Sequence, residues 1–327
     1  MKPRGFLYLV AALAAAAFLR IAIGPVADGS ATRLAFAIPS AEILALRAMS
    51  VLSAATVGVA LGLSGLALQT LLRNPLASPF VLGISSGAGF GVSVLLVAGY
   101  LFGSAIAFPG EAVGAVLGAA LALAVVSRFG RTGEGHDPTT LVLAGVIMAA
   151  IFGAGTTLCE QLVPFGLRGD LTSWMAGRLP EIPDARELGA VGALTALALL
   201  MLLSSARALD VSMLSDDEAR SSGVHLAALR GRLFWIGGIL AGIAVAYAGP
   251  IGFVGLVAPH LARRLVGPHH RSLVPAAAIA GAALLVAADA VRQVLDVGTG
   301  RLPVGVLTAL AGGPVFLWLL RRRAWSL

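Results

Sequence analysis

Several uninterrupted apolar runs, those near residues 43–70 and 80–101 among them, exceed the roughly 20 residues that carry a helix across a bilayer core. In hydrocarbon every backbone N–H and C=O must be paired within the protein, which leaves helices or a closed barrel. The runs lack the two-residue alternation by which a barrel strand faces lipid on one side only. The fold class is therefore all-α, a polytopic bundle in a membrane. Charge agrees with this. Only 12% of the 327 residues are charged, against roughly 25% in a water-soluble domain.

Hydropathy marks about ten segments, near 6–24, 43–70, 80–101, 110–128, 139–163, 186–206, 232–249, 254–266, 273–295 and 303–320. The eighth is short and polar-ended, as a broken or half-spanning helix would be. Asn74-Pro75, Ser78-Pro79, Phe108-Pro109-Gly110, Asp137-Pro138, Gly249-Pro250 and Gly267-Pro268 stand at the joins, where proline disfavours helix in the residue before it. The first segment follows a short basic start but has no clear small-residue cleavage site, so a retained helix is expected rather than a signal peptide.

The basic residues sit between the runs. With ten spans and the N-terminus inside, the inner joins hold Lys2, Arg4, Arg73, Arg128, Arg131, Arg207, Arg220, Arg230, Arg232, Arg263, Arg264, Arg271 and Arg321 to Arg323. These are 15 of the 23 basic residues, a bias that puts both termini in the cytoplasm. The net charge of +7 forms no dense patch with interleaved aromatics, which argues against nucleic-acid binding. The lone Cys159 excludes an internal disulfide and a multi-cysteine metal site. No cofactor or bound metal is expected.

Lipid provides no hydrophobic drive between helices, so close packing of small residues substitutes for it. Gly58, Gly62 and Gly65, then Gly83, Gly87 and Gly91, make such stripes at helical spacing. The longest polar join, Arg207 to Arg232, contains Ser215-Asp216-Asp217-Glu218, which fits the S-x-x-E capping box of a helix start. On the residues alone, an ordered helix that docks a partner and a solvated connector stand equal.

Three stretches identify a family. Arg73-Asn74-Pro75-Leu76-Ala77-Ser78-Pro79 is followed by Leu82-Gly83-Ile84-Ser85-Ser86-Gly87-Ala88. Gly249-Pro250-Ile251-Gly252-Phe253-Val254-Gly255-Leu256-Val257-Ala258-Pro259-His260 comes later, and Leu302-Pro303-Val304-Gly305-Val306-Leu307-Thr308-Ala309-Leu310 stands near the end, before Gly312-Gly313-Pro314. Together they resemble the FecCD permeases, which import ferric siderophores, haem or cobalamin, and the resemblance covers roughly residues 40 to 320.

That resemblance implies one transmembrane permease domain over residues 1–327, paired as a homodimer or as a paralogous heterodimer in the bacterial inner membrane. It implies two separate ATP-binding cassette subunits below and a periplasmic substrate-binding protein above. The chain has no G-x-x-x-x-G-K-[ST] phosphate loop, so ATP hydrolysis would belong to a partner.

Carried over by position, Ser215, Asp217, Glu218, Ala219, Arg220, Gly223 and Val224 fall in the family's ATPase-coupling loop; Ser222 stands where leucine is usual. Arg47 and Arg292 fall near the arginines that meet carboxylates of the binding protein. Met49-Ser50 replaces the usual Pro-Arg, and Arg292 lies one position early after Asp289. An ion pair between Asp289 and Arg292, three residues apart, is the plainer reading.

Met148, Phe152, Thr156 and Glu160 recur every four residues and share one helix face. The family places this helix beside the translocation pathway, whereas ordinary packing produces the same stripe. Trp174 lies in a stretch resembling a short helix after the fifth segment, or anchors at the membrane interface.

Two other functions compete. An ion-coupled secondary transporter would place ionisable residues at mid-membrane, but Glu160, Asp289 and Arg292 lie towards segment ends. An intramembrane serine protease would use Ser85, within G-x-S-x-G, together with His260. Glycine- and serine-rich helices produce that pattern by chance.

Overall fold

The computed structural model describes residues 3–28, 31–36, 40–103, 110–132, 135–295 and 302–321. The first helix, α1 (Pro3–Ala22), leads into an antiparallel hairpin of β1 (Ile23–Asp28) and β2 (Ala31–Phe36), registered from Ile23 opposite Phe36 to Asp28 opposite Ala31. Then come α2 (Ala41–Leu71), α3 (Ile84–Phe102), α4 (Gly110–Gly130), a small hairpin of β3 (Arg131–Thr132) and β4 (Gly135–His136), and α5 (Pro138–Leu162). The rest is helical: α6 (Phe165–Met175), α7 (Ala185–Ser204), α8 (Ala206–Val211), α9 (Asp216–Ser221), α10 (Leu226–Ala248), α11 (Val254–Val266), α12 (His270–Val294) and α13 (Val304–Arg321).

Each of the ten apolar segments coincides with a helix, the third being preceded by a 3-10 turn over Pro79–Leu82. Among the described residues, eight helices are long and apolar enough to cross a membrane. The thirteen residues of α11 rise only about 20 Å, short of a core of about 30 Å, in keeping with the half-spanning expectation. It follows an extended break in which Gly249 and Phe253 both have positive φ. Three features differ from the sequence reading. The β1–β2 hairpin was not expected, α10 begins at Leu226 rather than near 232, and most of the polar join is helical. The join at Phe108-Pro109 and the charges of Lys2, Arg322 and Arg323 lie outside the described residues.

The bundle is built around α2, the most enclosed of the eight helices. Helices α10, α11 and α12 pack against it, α1 lies on α12, and α3 pairs with α4 and α5. Glycine makes these approaches possible. A β-carbon at Gly58 or Gly62 would run into the backbone of Gly281 or Ala277 on α12, and one at Gly65 into Gly255 on α11. Gly87 and Gly91 meet Gly118 and Gly114 on α4 in the same way. Gly83 departs from its stripe: at φ 70° it forms the left-handed turn that ends the 3-10 segment and starts α3. Polar side chains within this apolar core find partners in neighbouring helices or their own. The Ser64 hydroxyl donates to the Gly237 carbonyl at 2.6 Å, and Ser53 to the Tyr247 hydroxyl at 3.1 Å.

Candidate coupling site and a buried ion cluster

The polar join folds as the capping motif predicts. Ser215 Oγ accepts from the Glu218 backbone N–H at 3.3 Å, and Glu218 Oε2 accepts from the Ser215 N–H at 3.0 Å and its hydroxyl at 2.7 Å. Both bonds hold the Glu218 carboxyl below its usual range. At the other end, Gly223 has φ 82°, and the N–H groups of Gly223 and Val224 bond back to the carbonyls of Arg220 and Ala219. The single turn of α9 is thus closed at both ends, although a helix of six residues has little stability of its own.

The candidate coupling residues divide by direction. Ala219 is fully buried and Val224 packs against the core, so these two fasten the helix to the bundle. Asp217, Arg220 and Gly223 are exposed, next to Met213 and Leu214, two large apolar side chains also turned outward. A cleft of about 570 Å³ runs from Arg220 and Gly223 to Ala228.

Inward, α9 is tied by Asp216. Both of its oxygens accept from Arg230 Nη2 at 2.9 Å, and Oδ1 also meets Arg73 Nη2 at 2.6 Å. Burial pushes the Asp216 carboxyl up, but the two guanidinium groups outweigh it and hold it below its usual range. Arg73 Nε donates to the Ser212 carbonyl at 3.0 Å. Arg73 has φ 46°, a left-handed conformation that costs a residue bearing a β-carbon roughly 1–2 kcal/mol. Beside α9, Asp210 of α8 accepts from the His270 backbone N–H at 2.8 Å and lies 2.7 Å from its Nδ1. The other ring nitrogen lies 3.1 Å from Thr70 Oγ1 on α2. The sequence reading missed Asp210, Thr70, Arg73, Asp216, Arg230 and His270 as partners. No spacing rule joins residues that far apart.

Helix α12 starts at this end and reaches a second polar cluster about 28 Å further along its axis. There Asp289 Oδ2 accepts from Arg20 Nε at 2.5 Å, and Oδ1 from Arg292 Nε at 2.9 Å. All three are buried, at 1% exposure for Asp289, 4% for Arg20 and 3% for Arg292. Arg47, at 9%, donates from Nη1 to the Ile21 carbonyl at 2.6 Å, and Gln293 Nε2 donates to the Ile23 carbonyl. Both arginines expected to meet a binding protein are thus turned into the subunit, and the Asp289–Arg292 pair is formed. Arg20 is the member that sequence reasoning missed; the signal was a lone charge inside an otherwise apolar first segment.

The stripe on α5 also faces inward. Phe152 stacks on Phe90 of α3 with ring centroids 5.6 Å apart, Thr156 Oγ1 donates to the Phe152 carbonyl at 2.9 Å, and Met148 packs against the core. Glu160 is half-buried. Ile147, Ile151, Leu158 and Leu162 occupy the uncovered face of α5. Trp174 is buried at the end of α6, so it packs in the core rather than anchoring at an interface. Cys159 is a buried free thiol.

Known proteins place this architecture. Residues 7–322 match the FecCD transport family. The hemin transport system permease protein HmuU of Yersinia pestis is 39% identical over 280 residues, covering 86% of this chain and 83% of that protein. The cobalamin import system permease protein BtuC of Halobacterium salinarum is 35% identical over 306 residues, covering 90% and 78%. A metal-chelate type ABC transporter solved in an inward-facing conformation superposes with a TM-score of 0.84 at 29% identity, covering 98% of this chain and 99% of that one. These relatives favour the permease over the ion-coupled and protease alternatives. A bundle of glycine-packed helices with a capped turn fixed at one end is thus the build of a transport permease, and the chain belongs to the FecCD transport family.

Proposed function

We propose that this chain imports a large metal chelate, of the haem, corrinoid or ferric siderophore class, as one copy of a permease dimer in a bacterial inner membrane. Two separate ATP-binding cassette subunits drive it from the cytoplasmic side, and a substrate-binding protein delivers the cargo from outside. In this reading residues 1–327 are one transmembrane domain with both termini in the cytoplasm, and the join at 207–232 is the coupling loop. Asp217, Arg220 and Gly223 touch the ATP-binding subunit, while Ser215, Glu218, Ala219 and Val224 keep the turn rigid. The chelates named for the relatives support the cargo class.

The observation that carries the proposal is α9: capped at both ends, anchored by Ala219 and Asp216, and presenting Met213, Leu214, Asp217 and Arg220 outward. Buried Arg47 and Arg292 serve a docking role only by way of the ends of α1, α2 and α12, whose positions they fix. The inward packing of Met148, Phe152 and Thr156 makes them supports of the pathway helix, with Glu160 at its end.

The test is co-purification. With the ATP-binding subunit expressed beside this chain, the parent is expected to retain it through affinity purification in detergent. Replacing Asp217 and Arg220 together by alanine, with Leu214→Asp, is expected to lower the retained amount at least tenfold, about 1.4 kcal/mol. Undiminished retention would refute the assignment of this face.

A further inference from the structure

Arg73 stands where a helix that turns back on itself ordinarily takes glycine. The N–H of Asn74 bonds to the Gln69 carbonyl at 3.1 Å and that of Arg73 to the Thr70 carbonyl at 3.3 Å, the closing pattern of a helix end whose left-handed residue is usually glycine. The backbone at Arg73 is nevertheless left-handed, at φ 46°. The side chain supplies the reason. Its guanidinium reaches out of the turn to the Ser212 carbonyl and to Asp216, on both sides of the α9 cap. Strain kept at one residue is a pointer to function when the surroundings enforce it.

A second contact leads from the same loop to a different helix. Asp210 on α8 holds the first residue of α12, His270, through both its backbone N–H and its ring, and the ring meets Thr70 in the last turn of α2. His270 is 3% exposed, so this contact is inside the protein rather than on the docking face. The loop is therefore bonded to α2 and α12, two helices that pack extensively against each other, and the latter ends in the Asp289 cluster.

We propose that Arg73 and His270 are the positioning residues that carry motion of the coupling loop into the bundle, Arg73 by pulling on the end of α2 and His270 by pulling on the start of α12. They do not themselves touch the ATP-binding subunit. The inference rests on the coupling role proposed for α9, but concerns the transmission behind that face. Directional hydrogen bonds suit the task. Their strength falls steeply with distance and angle, so a helix shift of one or two ångströms, about the scale of such transitions, is not absorbed at the contact, whereas apolar contacts slide.

Arg73→Gly separates this role from a structural one. Glycine relieves the left-handed backbone, so the variant is expected to melt at or above the parent temperature. His270→Gln is a second variant, which keeps a polar side chain next to Asp210 and Thr70. A spin label at Val294→Cys, in a Cys159→Ala background, reports the distance between the far ends of α12 in the two copies. In the parent complex with its ATP-binding subunits, ATP with vanadate is expected to change that distance. In Arg73→Gly and His270→Gln the ATP-binding subunit is expected to remain bound while the change is lost. A change of parental size in both variants, with the subunit bound, overturns the proposal. Loss of the subunit from these variants also overturns it, because the two residues would then belong to the docking face. Failure of the parent to bind the subunit strikes the coupling role itself, and the inference with it.

Discussion

Asp289→Ala is expected to destabilise the folded protein by about 3–5 kcal/mol, the cost of leaving buried charges without their counter-ion. Asp289 is shared by Arg20 of α1 and Arg292 of α12, and none of the three is more than 4% exposed. Arg47 lies close by, where a β-carbon on Gly24 would run into both Arg47 and Gln293. Removing this carboxylate therefore leaves the buried Arg20 and Arg292 without the counter-ion that both of them bond. Asp289→Asn keeps the shape and loses the charge, and should cost most of the same amount. The triple replacement Arg20→Met, Asp289→Leu, Arg292→Met should recover most of the loss, because an apolar substitute removes the desolvation cost with the pair. Denaturation midpoints in detergent measure all three. A loss below about 1 kcal/mol for Asp289→Ala would match an exposed ion pair and contradict the buried cluster.

Gly65→Leu should have a comparable effect for a different reason. The new β-carbon would land on the backbone of Gly255 in α11, not on a side chain that could rotate away. Overpacking typically costs 1–3 kcal/mol, occasionally more, and a backbone obstacle places this substitution at the upper end, about 3 kcal/mol. The two helices would have to move apart, taking the break at residues 249–253 with them. Gly189→Leu is the control. It lies on the exposed side of α7, where a β-carbon meets nothing within 4 Å, and a change within about 0.5 kcal/mol is expected. Size-exclusion profiles and thermal midpoints separate the two. Equal behaviour of the two variants would show that glycine at residue 65 is incidental.

The helices were legible because their signal is local. Hydrocarbon demands long apolar runs, and each of the ten coincides with a helix. The α9 cap was legible for the same reason, since Ser215 and Glu218 are three residues apart. What stayed hidden was pairing over long distances. Arg20 lies 269 residues from Asp289, and Thr70 lies 200 from His270; nothing in either neighbourhood records the other. Direction was also hidden. Arg47, Arg292 and the stripe from Met148 to Thr156 were placed on the correct helices, but which way they face depends on which helix packs beside them. The α5 stripe turns to Phe90, whose ring lies against Gly155 of α5, and Gly145 lets the same helix approach the 3-10 turn at Val81 and Leu82. The β1–β2 hairpin was missed because most of its residues fall between the first two apolar segments, outside the runs that hydropathy marks.

In the proposed function, motion imposed on a cytoplasmic turn by an ATP-hydrolysing partner subunit moves this bundle. Uptake into proteoliposomes tests it most directly, with this chain, its ATP-binding subunits and its binding protein reconstituted together and haem, cyanocobalamin or a ferric siderophore followed by absorbance. ATP supplied on the side of α9 is expected to drive accumulation of one of these chelates, and collapse of the proton gradient to leave the rate unchanged. Accumulation that follows the proton gradient, or that proceeds with the ATP-binding subunits left out, would contradict it.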